Sequence, residues 1–143
     1  MLQSDRPILL VEDNPMDVDL TRRAFVQRHV NHPIEVARDG EEALAFVSNW
    51  QEKRPLPLLI LLDLKLPKID GLEVLHQIKA HPQFNVIPVV VLSTSTEEKD
   101  IQIAYQEGAN SYIVKPVDFD RFMQIVEQIQ TYWCVLNTPP PND

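Results

Sequence analysis

The chain has 143 residues, about one domain's worth, and that length can bury a core without a disulfide or metal staple. Apolar residues at 44% against 24% charged exclude a disordered chain. Thirteen Lys and Arg against 21 Asp and Glu leave a net charge of −8; such a surface repels phosphate backbones and anionic headgroups, which excludes general binding to nucleic acid or membranes.

The single cysteine, Cys134, has no disulfide partner in the chain, and the four histidines (His29, His32, His76, His81) form no metal-ligand spacing. The apolar run Leu56 to Leu62 is too short for a membrane span, and Met1 to Arg6 lacks a signal-peptide shape. A soluble cytoplasmic protein is expected.

Ile8 to Val11 is an apolar run too short for a helix and predicts a buried strand. Asn14 and Pro15 follow as helix cap and first helical residue, with Asp17 and Asp19 in the early turns. Val18, Ala24 and Phe25 recur at helical spacing to about Val30. Asn31-His32-Pro33 breaks the chain, and Ile34 to Ala37 alternates as a second strand. Asp39-Gly40 turns into a helix with Ala43, Leu44, Phe46 and Val47 inward and Trp50 near its end.

Residues 51–57 predict a loop, and Leu58 to Leu62 a third strand, apolar on both faces as in a parallel sheet covered on both sides. After the loop Leu66 to Ile69, Asp70 starts a helix carrying Leu72, Val74, Leu75 and Ile78, which ends at His81-Pro82. Pro88 to Leu92 is the fourth strand. A helix from near Thr96 places Ile101, Ala104 and Tyr105 inward and stops at Gly108. Tyr112 to Val114 is the fifth strand, and Asp118 caps a last helix with Phe119, Phe122, Val126, Ile129 and Trp133 on one face. The proline-rich tail, 137–143, has no apolar pattern and is expected to be disordered, leaving one domain over 1–136. Five strands alternating with five helices imply right-handed crossovers and a single three-layer, doubly wound α/β domain.

Polar residues collect at the carboxyl ends of these strands: Glu12 and Asp13 after the first, Asp63 after the third, Ser93, Thr94 and Ser95 after the fourth, Lys115 after the fifth. Ligands of open α/β sheets bind outside those ends. Crowded carboxylates repel, by roughly 4 kcal/mol for a pair ~4 Å apart at an effective dielectric of about 20. A hard divalent cation and Lys115 are the candidates to neutralise them; carboxylates without nearby Cys or His suit Mg²⁺. Taken singly, each group has an ordinary explanation: a helix cap, a strand terminator, a turn hydroxyl, a solvated lysine. Together they supply what phosphoryl transfer to a carboxylate requires.

The stretches Ile8 to Asp13, Leu61 to Leu64 running on to Pro67 and Asp70-Gly71, Pro88 to Ser93, and Tyr112 to Pro116 resemble the receiver domain of two-component response regulators, over about residues 6–133. The resemblance implies a flavodoxin-like strand order 2-1-3-4-5. It implies that Asp63 accepts a phosphoryl group, and that Asp13, Asp63 and the Lys65 backbone carbonyl bind Mg²⁺ with Glu12 assisting; Mn²⁺ or Ca²⁺ can substitute. Ser93 would be the switch hydroxyl, with Thr94 beside it in the phosphoryl-binding loop, Lys115 the phosphoryl-pairing ammonium and Tyr112 the aromatic switch. The Lys115-Pro116 bond looks like the family's cis peptide. Glu12 stands where Asp is more frequent and Thr94 where a small residue is usual; Thr94 and Lys65 are expected to crowd the phosphoryl site and slow hydrolysis. Leu64 to Lys68, Val91 to Ser95 and Tyr132-Trp133 look like the stand-alone receivers that partner cyanobacterial phytochromes, which implies a histidine kinase, of phytochrome type, as donor.

The receiver leaves no room for an output domain, so output is expected from its surface. Ile125, Tyr132 and Leu136 run beside the core stripe of the last helix, and a helix apolar on more than one side is buried on more than one side. A homodimer through the face of helix four, strand five and helix five is expected, with Tyr105, Ile125, Tyr132, Trp133 and Leu136 at the contact; the alternative is that the chain end folds back over the core. Rival readings are an Asp-nucleophile phosphohydrolase of the haloacid-dehalogenase type, disfavoured by Lys65 where a second Asp is needed, and a nucleotide or flavin module, disfavoured by the absence of glycine after strand one. A third is a receiver-like scaffold independent of phosphorylation.

Overall fold

A computed structural model describes residues 6–27, 32–50 and 56–141. Met1 to Asp5, the helical reading from 28 to Val30, His29, Asn31, the loop 51–55 and the last two tail residues lie outside the described residues.

The strands are β1 (Ile8–Val11), β2 (Ile34–Ala37), β3 (Leu59–Leu62), β4 (Val89–Ser93) and β5 (Ser111–Val114), and the helices α1 (Pro15–Gln27), α2 (Gly40–Asn49), α3 (Gly71–Ala80), α4 (Glu98–Gln106) and α5 (Phe119–Gln130). They form one parallel sheet in the order β2-β1-β3-β4-β5, as the resemblance implied. Every residue of β1, β3 and β4 is buried, which is why these strands lack polar alternation. Leu9, Val11, Ile60, Leu62, Val89 and Val91 face α2 and α3 through Ala43, Val74, Leu75 and Ile78, and Trp50 meets Phe84 edge-on at 5.2 Å. Ile8, Leu10, Leu59, Leu61, Val90 and Leu92 face α1 and α5 through Val18, Ala24, Phe25, Phe122, Val126 and Ile129.

Helix starts follow the side chains that cap them. Asn14 Oδ1 accepts from the Met16 amide at 2.9 Å, with Pro15 the first helical residue. Asp39 accepts from the Glu42 amide at 2.8 Å while Glu42 accepts from the Arg38 amide at 2.9 Å, a reciprocal cap. Asp118 accepts from the Arg121 amide at 3.2 Å; each such cap is worth ~1 kcal/mol. Asp70 starts α3 without a side-chain cap bond. Gly108, at φ 103°, ends α4 in the left-handed conformation expected of it.

Three expectations need correction. Phe119 and Tyr105 are about half exposed rather than inward. Phe119 opens the first turn of α5, beyond the end of β5, and α4 buries only Ala104. The tail is ordered through 141: α5 runs on into a π-helical segment, Thr131–Leu136, Pro139 is buried, and Arg6 Nη1 donates to the Pro140 carbonyl at 3.0 Å. The Arg6 guanidinium also donates to the Leu56 and Pro57 carbonyls, so the chain's end is tied to the amino edge of the sheet by a buried cation, a contact that apolar patterning cannot signal. Finally, the Lys115-Pro116 peptide is trans, since no cis bond occurs among the described residues; trans is the intrinsically favoured isomer, by about 0.5–1 kcal/mol.

Candidate functional site

Register decides which residues converge. Val11 pairs with Leu62 and Ser93 with Val114, so Glu12, Asp63, Ser93 and Lys115 emerge along one edge of the sheet. The ladder continues one step past the strands through Asp63 N to Val11 O (3.0 Å) and Lys115 N to Ser93 O (2.8 Å), which fixes the backbone under each functional side chain. α3 approaches from outside: the Gly71 amide donates to Leu64 O, and a Cβ at Gly71 would lie 2.5 Å from the Asp63 carbonyl oxygen. Only glycine allows this approach.

Lys115 is the hub. Its Nζ lies 2.6 Å from Glu12 Oε1, 2.9 Å from Asp17 Oδ2 and 3.2 Å from Asp63 Oδ2. Glu12, Asp63 and Lys115 are all buried, and Ser93 is fully so. Burial works against the Lys115 charge, but Glu12, Asp63 and Asp17 outweigh it and hold the ammonium above its ordinary range. Burial pushes the Glu12 carboxyl up to about 7, with Lys115 opposing and Asp63 adding to the rise. Glu12 Oε2 accepts from the Asn14 amide at 3.1 Å, and Asp63 Oδ1 from the Lys65 amide at 3.1 Å.

Glu12, Asp13 and Asp63 each present a carboxylate oxygen within 4.8 Å of the others, with Asp13 exposed at the rim. An all-oxygen set of this kind fits a hard divalent cation, which accepts few protein ligands and retains water. The Ser93 hydroxyl accepts from the Ser95 amide at 3.2 Å. Ser95 Oγ donates to Asp100 at 2.6 Å, and Tyr112 Oη donates to the Ser95 carbonyl at 3.0 Å, so the loop after β4 is tied to both α4 and β5. Thr94 is exposed, and the exposed Lys65 side chain reaches toward Asp100, 3.9 Å away.

The structure thus brings together Glu12, Asp13, Asp63, Ser93 and Lys115. Of the residues expected at a dimer contact, Ile125, Tyr132 and Trp133 line a groove between β5 and α5 and Leu136 lies with Tyr132 in the next; Tyr105 is exposed on α4. Asp17, by contrast, entered the sequence reading only as a first-turn acid. Its spacing of four from Asp13 was the available signal, one helical turn back toward the strand ends.

Comparison with known proteins agrees with this arrangement. The family model described as "Response regulator receiver domain" matches residues 8–127. The "Probable methanogenesis regulatory protein FilR2" of Methanothrix harundinacea is 44% identical, the match covering 98% of this chain and 92% of that protein. Two crystal structures superpose closely. One, the phosphorylated cyanobacterial phytochrome response regulator RcpA, is 42% identical with a TM-score of 0.89 over 96% of this chain and 99% of that one. The other, the Mn²⁺-bound form of the response regulator Rcp1, is 39% identical with a TM-score of 0.90 over 95% and 99%. By the match of nearly its whole length, the chain belongs to the response regulator receiver domain family.

Proposed function

We propose that the protein is a phosphoacceptor: Asp63 takes a phosphoryl group from a phosphohistidine of a histidine kinase, and the altered surface carries the signal onward. The observation that supports this most strongly is the buried Asp63 carboxylate lying between an acidic, oxygen-only cation site and the Lys115 ammonium. A carboxylate oxygen of Asp63 attacks phosphorus as the bond from phosphorus to the donor breaks, and the electron pair and a proton leave with the donor's imidazole. Glu12, Asp13, Asp63 and the Lys65 carbonyl would hold Mg²⁺, which supplies charge neutralisation at the phosphoryl oxygens. Lys115 exchanges its contact with Asp63 for one with a phosphoryl oxygen. Ser93, freed from the Ser95 amide, turns toward the same group, and the Ser95 carbonyl and Tyr112 follow.

Likeness to RcpA and Rcp1 favours a phytochrome-type kinase as donor, and a cytoplasmic location goes with that reading. Among the described residues no helix is long and apolar enough to cross a membrane. The exposed Tyr105, Tyr132 and Leu136, with Ile125 and Trp133, support a homodimer through the α4–β5–α5 face. Light scattering at micromolar concentration is expected to give twice the monomer mass; a monomer at every concentration contradicts the dimer. For phosphorylation, incubation with acetyl phosphate and Mg²⁺ is expected to add one phosphoryl group to the wild type and none to Asp63→Asn. No gain in either rejects the reading in favour of a phosphorylation-independent scaffold, while continuous turnover of phosphate esters would instead indicate a phosphohydrolase.

A further inference from the structure

Lys115 has three ammonium protons, and all three are engaged before any phosphoryl group arrives. The contacts with Glu12 and Asp17, 2.6 and 2.9 Å, are tighter than the one with Asp63, 3.2 Å. Asp63 is also the partner that phosphorylation changes, since its attacking oxygen loses charge once bonded to phosphorus. The exchange therefore falls on the third proton, and Glu12 and Asp17 keep the other two. Glu12 alone leaves the ammonium free to rotate about one contact. Asp17 fixes a second point, from the first turn of α1 rather than from the sheet, and its side chain is only 20% exposed.

We propose that Asp17 is a positioning residue for phosphoryl capture: with Glu12 it forms a two-point anchor that aims the third Lys115 proton at the phosphoryl group on Asp63. This rests on the reading of Asp63 as the phosphoacceptor. Asp17 acts through Lys115 and makes no contact of its own with the reacting atoms. The anchor joins α1 to β5 across the phosphoryl site, so a shift of α1 on kinase docking would re-aim the ammonium.

Fluorine NMR of the protein with Mg²⁺ and beryllofluoride, a phosphoryl mimic, tests the proposal. In wild type, Asp17→Asn and Asp17→Ala, the fluorine facing Lys115 reports the aim of the ammonium. Asp17→Ala is expected to displace or broaden that one resonance, leave the other fluorines in place, and weaken beryllofluoride binding about tenfold, the loss of roughly one charge-assisted hydrogen bond. Asp17→Asn, which keeps an acceptor oxygen and the shape, is expected to fall between. Unchanged spectra and affinity in both variants overturn the proposal. So does tighter binding, the result if Asp17 merely repelled the incoming anion. Absence of any complex in the wild type overturns both this proposal and the assignment of Asp63.

Discussion

Two lysines stand at opposite ends of the same sheet, Lys115 buried and Lys79 half-buried, and their surroundings differ. At the carboxyl edge, Lys115 faces three carboxylates and is held as a cation. At the amino edge, Lys79 donates to the carbonyls of Asn85 and Ile87 at 3.0 and 2.8 Å and to Asn110 Oδ1 at 3.2 Å, all neutral. With no carboxylate against it, burial pulls Lys79 down to about 8. Lys79 closes the loop after α3 against the start of β5, where Asn110 Oδ1 also accepts from the Val89 amide. A buried lysine alone therefore marks no site; the carboxylates gathered around Lys115 do, because they can be neutralised again by a cation or exchanged for a phosphoryl group.

The comparison is broken most forcefully by removing the hub. Lys115→Met leaves the buried Glu12 and Asp63 and the half-buried Asp17 without their shared cation and is expected to cost about 3 kcal/mol in urea unfolding at neutral pH. Added Mg²⁺ is expected to restore part of that loss, because a cation that binds only the folded protein stabilises it. Unchanged stability would mean the ammonium is no counter-charge.

Next in size is Gly71→Ala. The added Cβ meets Asp63 O and Leu64 Cα, each at 2.5 Å, both backbone atoms that cannot turn aside. A loss of about 2 kcal/mol is expected, together with weakened beryllofluoride binding, because the strain falls on the backbone that carries Asp63. Wild-type affinity in a destabilised variant would separate α3 packing from the site.

The smallest effect sharpens the comparison at the other end. Lys79 releases its proton near pH 8 in the folded protein and near 10.5 when unfolded, so between those values the unfolded chain binds more protons and stability rises with pH. Lys79→Met is expected to flatten that rise while leaving beryllofluoride binding unchanged. A rise that persists in the variant places its origin elsewhere.

Much of this architecture was legible in the residues. The runs Ile8 to Val11 and Leu58 to Leu62 are apolar without alternation because both faces are covered, and Asn14, Asp39 and Asp118 announce helix starts through bonds they do make. Glu12, Asp63, Ser93 and Lys115 could be placed together because parallel register sets strand ends side by side. Asp17 was missed for a reason of geometry: an acid in a helix's first turn already has an explanation in the helix dipole, and its spacing of four from Asp13 does not by itself reveal the contact with Lys115. The cis expectation for Lys115-Pro116 came from the resemblance alone, since the residues themselves say only that an X-Pro bond tolerates either isomer. The ordered tail escaped because it is held by Arg6 and a carbonyl, a contact spanning 134 positions of sequence, rather than by an apolar face.

The central claim is that the Asp63 oxygen, and no other carboxylate of the cluster, bonds to phosphorus. Borohydride reduces an acyl phosphate to an alcohol, so treating the acetyl phosphate-labelled protein and sequencing its peptides by mass reads out the acceptor directly. Homoserine at position 63 alone is the expected result. Homoserine at 13 or 17, 2-amino-5-hydroxypentanoic acid at 12, or a labelled protein with no reducible carboxylate, would contradict the account.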